Sequence, residues 1–169
     1  DDKKTVTLYC CWAHARRYFF KARDSEAELA EEALTRIGEL YKIERRLRRE
    51  RATPRERCRL RSEKAQPILE AFKPWLEANR GLPQSPWGKA VAYSLARWEK
   101  LTRYTEDGRI EIDNNLVENA IRPIALGRKN YLFAGSHAAA RRAAVIYSLL
   151  STCKLHGVNP LDWLEDVLS

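Results

Sequence analysis

Methionine is absent from these 169 residues, position 1 included. A complete reading frame begins with one, so the chain is expected to be a piece of a longer protein. Long apolar runs are also missing. None approaches the roughly 20 residues a membrane-spanning helix needs, which argues against a membrane role. The start, Asp1-Asp2-Lys3-Lys4, has no apolar stretch behind it and does not resemble a secretory signal. Cysteines number four, Cys10, Cys11, Cys58 and Cys153, two adjacent and two scattered. That spacing forms no disulfide framework and suits a reducing cytosol. Histidines number three, and two of them have a cysteine three residues before them, in Cys11-Trp12-Ala13-His14 and Cys153-Lys154-Leu155-His156. The two pairs stand at opposite ends of the chain rather than at the spacing of a zinc module, and a structural zinc is not expected. Internal repeats and low-complexity segments are absent too.

The residues that are present describe a well-solvated domain with a sizeable core, 44% hydrophobic and 32% charged. The net charge is +8, which suits a polyanionic partner such as nucleic acid. Between Arg36 and Lys64 stand twelve Lys or Arg against five Glu, nearly the whole surplus. The segment fits a phosphate-contacting surface and equally a solvated helical hairpin with an arginine-rich exterior.

Thr5-Val6-Thr7-Leu8-Tyr9-Cys10 is β-branched and aromatic and reads as the one strand. A lone strand is unstable, so its sheet partners are expected outside the chain. Helical periodicity follows from Trp12 to Ala22. Ser25-Glu26-Ala27-Glu28 and Thr53-Pro54-Arg55-Glu56 read as capping boxes opening two long helices of a hairpin, with Pro67 expected to kink the second. Gly81 to Pro86 forms a turn, and a helix runs from Trp87 to Arg103. The helix from His137 to Leu155 is apolar over most of its surface and is expected to be buried. Gly157 stops it, and Asn159-Pro160 starts a short last helix.

Chemistry concentrates in Glu111-Ile112-Asp113-Asn114-Asn115-Leu116-Val117-Glu118-Asn119-Ala120-Ile121-Arg122-Pro123 and the following Gly127-Arg128-Lys129-Asn130. Asp113 reads as an N-cap. Asn114, Glu118 and Arg122 recur every four residues and share one face, while Val117, Ile121 and Ile124 form an apolar face expected to anchor in a core. The spacing alone also fits an ordinary capped helix with a surface Glu118–Arg122 pair.

These motifs fall in a recognisable order. Cys11-Trp12-Ala13-His14-Ala15-Arg16-Arg17-Tyr18-Phe19 is followed by Ser85-Pro86-Trp87-Gly88-Lys89-Ala90 and Glu106-Asp107-Gly108-Arg109. Next come Asp113-Asn114-Asn115 with Glu118 and Arg122-Pro123, then Gly127 through Ser136, and finally Gly157-Val158-Asn159-Pro160 with Trp163 through Leu168. The whole chain resembles the transposases of the insertion-sequence sixty-six family, bacterial enzymes of the Asp-Asp-Glu (DDE) class.

The resemblance implies a mainly α chain: a truncated ribonuclease-H-like catalytic domain, one remaining strand plus the helix bearing the third carboxylate, with an all-helical insertion. Residues 1–22 would be the last strand and following helix of that core, 23–103 the insertion, 104–136 the helix and loop with the catalytic Glu motif, and 137–169 a C-terminal helical region. Glu118 would be the third carboxylate and a ligand of two Mg²⁺ ions, with His14 near the active site. Two such ions stabilise attacking and leaving oxygens in phosphodiester cleavage. Arg16, Arg17, Asn114, Asn115, Arg122, Arg128, Lys129 and Asn130 would contact DNA, the transposon ends and target.

The first two catalytic aspartates of the family lie upstream of this segment, and Asp1 and Asp2 do not replace them. The isolated chain is therefore expected to be inactive, with weak or no Mg²⁺ binding, and to need the missing N-terminal part of the transposase as partner. A homo-oligomer and a place at the bacterial nucleoid fit the same expectation. The competing interpretation is a non-catalytic DNA-binding or interaction module that pairs with an intact transposase.

Overall fold

The computed structural model describes residues 7–131 and 133–169. Two compact units divide the chain, one ending at Asn114 and the other spanning Asn115–Ser169.

The first unit contains α1 (Trp12–Lys21), a 3₁₀ turn (Ala22–Asp24), α2 (Ala27–Arg49) and α3 (Pro54–Leu60). A π-helical turn (Arg61–Ala65) leads into α4 (Gln66–Ala78), followed by α5 (Pro86–Ala96), α6 (Trp98–Thr102) and a 3₁₀ turn (Arg103–Thr105). Its core is aromatic. The Trp12 ring stacks on Phe72 at 6.3 Å and meets Trp98 edge-on at 6.0 Å, while Phe19 packs on Trp87 at 5.5 Å. Buried indole N–H groups need acceptors, and those of Trp12 and Trp87 find backbone carbonyls: Trp12 donates to Leu101 at 2.8 Å and Trp87 to Asn79 at 2.6 Å. Ala30, Ala33, Ile37, Leu40 and Leu47 bury one line of α2.

The hairpin of α2 against α3–α4 forms as the periodicity predicts. Thr53 closes it with a capping box: its hydroxyl accepts from the Glu56 amide at 3.4 Å, and its own amide donates to the Glu56 carboxylate at 2.7 Å. The irregularity expected at Pro67 is the π turn just before it. Proline has no N–H to offer the carbonyl four residues back, so the ladder changes spacing there.

Several expectations are corrected. Ser25 does not cap α2; its hydroxyl donates to the Ala22 carbonyl at 3.1 Å, and Glu26 takes the cap position without a side-chain bond. The helix expected over 87–103 begins at Pro86, capped by Ser85, and is interrupted at Arg97.

Of the expected strand, Thr5 and Val6 lie outside the described residues, and Thr7–Cys10 carry no strand. With no ladder beside them, two of their backbone groups bond to the α6 region instead. The Cys10 amide donates to Lys100 O at 3.0 Å, and Arg103 donates to Leu8 O at 3.1 Å. Helix dominates, and no strand occurs among the described residues.

The second unit contains α7 (Asn115–Tyr131), α8 (His137–Leu155) and α9 (Pro160–Leu168). Ser136 caps α8 and Asn159 caps α9, each through its side-chain oxygen. Gly157, at φ +71°, ends α8. The burial expected here is corrected: Val117, Ile121 and Ile124 of α7 are exposed, as are Val145, Ile146 and Leu149 of α8, and Cys153 is the one buried residue described in α8. Three helices in 55 residues present more apolar surface than they can cover for one another. Close approach of α7 and α8 occurs at Gly127, where an added Cβ would lie 2.4 Å from the Tyr147 hydroxyl. Above this glycine Tyr131 and Tyr147 share a hydrogen bond, which raises the Tyr131 pKa.

Candidate active site

The segment leading into α7 is irregular, so its conformation depends on what grips it. Arg61 is the grip. Its side chain is fully buried, and Nε and Nη2 donate to the two carboxylate oxygens of Glu44 at 2.8 Å each. Nη1 donates to the carbonyls of Tyr104 at 2.7 Å and Asp107 at 3.0 Å, and Nη2 also reaches Ile110 O at 2.9 Å. A planar guanidinium with five donors can make such a set, and an ammonium cannot.

Arg57 joins Glu44, at 3.2 Å, to Glu111, at 2.8 Å, and Arg48 reaches Glu111 at 3.0 Å. Partial burial pushes the Glu111 pKa up, but Arg57 and Arg48 outweigh it and hold the carboxyl below its ordinary value. Hydrogen bonds from the Arg109 side chain and amide pull Asp107 down to about 2. Gly108 packs so close to Pro54 that a Cβ would sit 1.9 Å from the Pro54 carbonyl oxygen. Ile112 is buried and accepts from the Trp12 amide at 3.1 Å. Next in the chain, Asp113 accepts a hydrogen bond from Tyr41 of α2; burial first, and then this carboxylate, raise the Tyr41 pKa.

His14 is half-buried on α1, and Arg16 and Arg17 are exposed one turn further along. The charge of Arg16 acts on Tyr41 in the opposite sense to Asp113. Helix α7 starts at Asn115, which puts Asn114 rather than Asp113 immediately before it. Glu118 is half-buried in the first turn, where the helix dipole favours an acid. Arg122 follows on the same face, and Arg128, Lys129 and Asn130 are exposed in the last turn. His14, Arg16, Arg17 and Asn114 thus belong to the first unit, and Asn115, Glu118, Arg122, Arg128, Lys129 and Asn130 to the second.

Among the described residues no group of three or more His, Cys, Asp or Glu is placed to hold a metal ion. Mg²⁺ prefers several oxygen ligands in strict geometry. Glu118 is one candidate donor, and these residues do not by themselves make up a two-ion site. Sequence reasoning missed Glu44, Arg61, Arg57 and Tyr41, which grip the approach to the motif.

Residues 1–142 match the model of the transposase IS66 family, and residues 148–169 match the IS66 C-terminal element. The chain belongs to the IS66 transposase family. It is similar to three uncharacterised proteins of Sinorhizobium fredii. With y4qI it is 41% identical over 99% of this chain and 31% of that protein. With y4hP the identity is 38% over 97% of this chain and 32% of that protein, and with y4jD 38% over 99% and 33%. The chain thus spans about a third of the length of these relatives. No solved structure matches it. No helix among the described residues is long and apolar enough to cross a membrane.

Proposed function

We propose that this chain is the part of a DDE transposase that supplies the third acidic residue, Glu118, to Mg²⁺-dependent DNA cleavage and strand transfer. In this proposal the segment from Thr5 to Cys10 and α7 belong to a ribonuclease-H-like core, and α2 to α6 form its helical insertion. The observation that carries the proposal is the family match across residues 1–142, which includes the motif at the start of α7. The half-buried first-turn position of Glu118 supports it, because the helix N-terminus favours an acidic side chain there.

The other ligands would come from polypeptide outside these residues, so the isolated chain would not cut DNA. Arg122, Arg128, Lys129 and Asn130 would meet phosphate, and His14 and Arg16 would act from the first unit. The test is a transposition assay of the full-length protein with Glu118→Gln. Transposition should be lost while protein level and DNA retention persist. Unchanged transposition, or Mg²⁺-dependent nicking by the 169 residues alone, overturns the proposal.

A second function, a non-catalytic module that pairs with an intact transposase, is favoured by the exposed Leu116, Val117 and Ile121 on α7. It predicts that Glu118→Gln leaves the effect on the partner transposase unchanged.

A further inference from the structure

The turn joining α2 to α3 holds a residue against its backbone preference. Helix α2 ends with the Arg51 amide donating to Arg48 O at 3.1 Å and the Ala52 amide donating to Leu47 O at 3.0 Å. This pair of bonds requires a left-handed residue between helix and turn, the place where glycine is usual. Helix α8 ends in the same way: Gly157 donates to Lys154 O at 3.3 Å and Val158 to Cys153 O at 2.9 Å, and there the left-handed residue is glycine, at φ +71°. In α2 it is Arg51, at φ +50°, the one non-glycine residue with positive φ among those described. A side chain kept where glycine fits more easily points to a use for that side chain.

Its neighbours share the feature. Most arginines of the hairpin are in ion pairs: Arg46 with Glu50, Arg48 and Arg57 with Glu111, Arg59 with Glu63 and Arg61 with Glu44. Arg45, Arg49, Arg51 and Arg55 are exposed and have no ion pair among the described residues. Arg45 and Arg49 stand one turn apart on one stripe of α2. Arg55 occupies the first turn of α3, where the helix dipole disfavours a cation. Thus Arg51 is placed against sterics, and Arg55 against electrostatics. All four are arginine, whose fork matches phosphate oxygens.

We propose that the tip of the α2–α3 hairpin, through Arg45, Arg49, Arg51 and Arg55, is a docking surface for the phosphate backbone of duplex DNA. The inference deepens the proposed action on DNA but concerns a surface apart from the Glu118 motif. Phosphate is favoured over an acidic protein because four unneutralised guanidinium groups within one turn region suit a line of repeated anions.

The test is binding of the 169-residue chain to a fluorescent random-sequence duplex of about 30 bp across a salt series, with Arg51→Gly, Arg51→Lys and Arg55→Gln variants. Loss of one phosphate contact flattens the log–log salt slope by about 0.9. Arg51→Gly should bind several-fold more weakly with that flattening, while its Tm stays the same or rises, since glycine suits the turn. Arg51→Lys should restore part of the affinity. Arg51→Gly with unchanged affinity and slope overturns the proposal, as does binding of polyglutamate with no measurable duplex binding. A negative Glu118→Gln transposition result leaves this readout untouched, so the two failures are separable.

Discussion

Glu44 and Arg61 form a fully buried, two-bonded ion pair across the hairpin, and the same guanidinium carries three carbonyls of the segment that leads to Glu118. The helical hairpin and the approach to the motif are therefore one piece of structure. Desolvating two charges is costly, and breaking such a pair by removing one member typically costs about 3–5 kcal/mol.

Arg61→Met should accordingly destabilise the first unit by about 3–5 kcal/mol in urea unfolding, because Glu44 stays buried without its partner. Amide exchange across residues 104–111 should accelerate as well. The double variant Arg61→Met, Glu44→Leu should recover part of the loss in global stability but not the slow exchange of that segment, since the carbonyls still lack their donor.

Gly108→Ala should be among the more damaging single-methyl changes in the chain. Its Cβ would collide with the backbone of Pro54, which cannot rotate aside. Overpacking of this kind costs about 1–3 kcal/mol, readable as a lower urea midpoint with an unchanged slope.

Lowering the pH should weaken the first unit in a defined window. Asp107, Glu56 and Glu111 all have folded-state pKa values below their ordinary ones. A depressed carboxyl contributes stability that is complete above its unfolded pKa, about 4, and is lost as pH falls through the folded value. The loss should therefore begin near pH 4 and continue as the carboxyls protonate, Asp107 at about 2. An acid titration of Tm would show a decline beginning instead near pH 6 if histidine governed it.

Substitutions on the apolar face of α7 should have little effect on the stability of this chain. Val117→Ser and Ile121→Ser alter residues 59% and 54% exposed, and surface changes usually stay within about 0.5 kcal/mol. A loss of about 2 kcal/mol or more would mean those side chains are buried in solution.

The sequence made the helices legible, with their caps at Thr53, Ser136 and Asn159 and the stop at Gly157, because these depend on local residues alone. It also exposed the motif around Glu118, through the order of its residues rather than through any spacing. It misjudged α7 and α8, since apolar periodicity reports a face that needs cover without saying where the cover comes from. Thr7–Cys10 carry no strand for a related reason: β-branched residues fit a ladder only when a neighbouring strand exists.

The buried ion pair did leave a trace. Glu44 falls on the line Ala33, Ile37, Leu40, Leu47, and Arg61 on the line Ala65, Leu69, Phe72, Leu76. Opposite charges on two core-facing lines of a hairpin must meet or be expelled, and that signal was available before any coordinates.

The capture of three loop carbonyls by Arg61 also sets rules for anyone cutting or grafting this protein. A peptide tag spliced into the connection after Glu50 would add only slowly growing closure entropy and should leave the remainder intact. Trimming the arm back past Arg61 would take away the guanidinium that holds the carbonyls of Tyr104, Asp107 and Ile110. A miniaturised version must keep the base of the arm even if it discards the end.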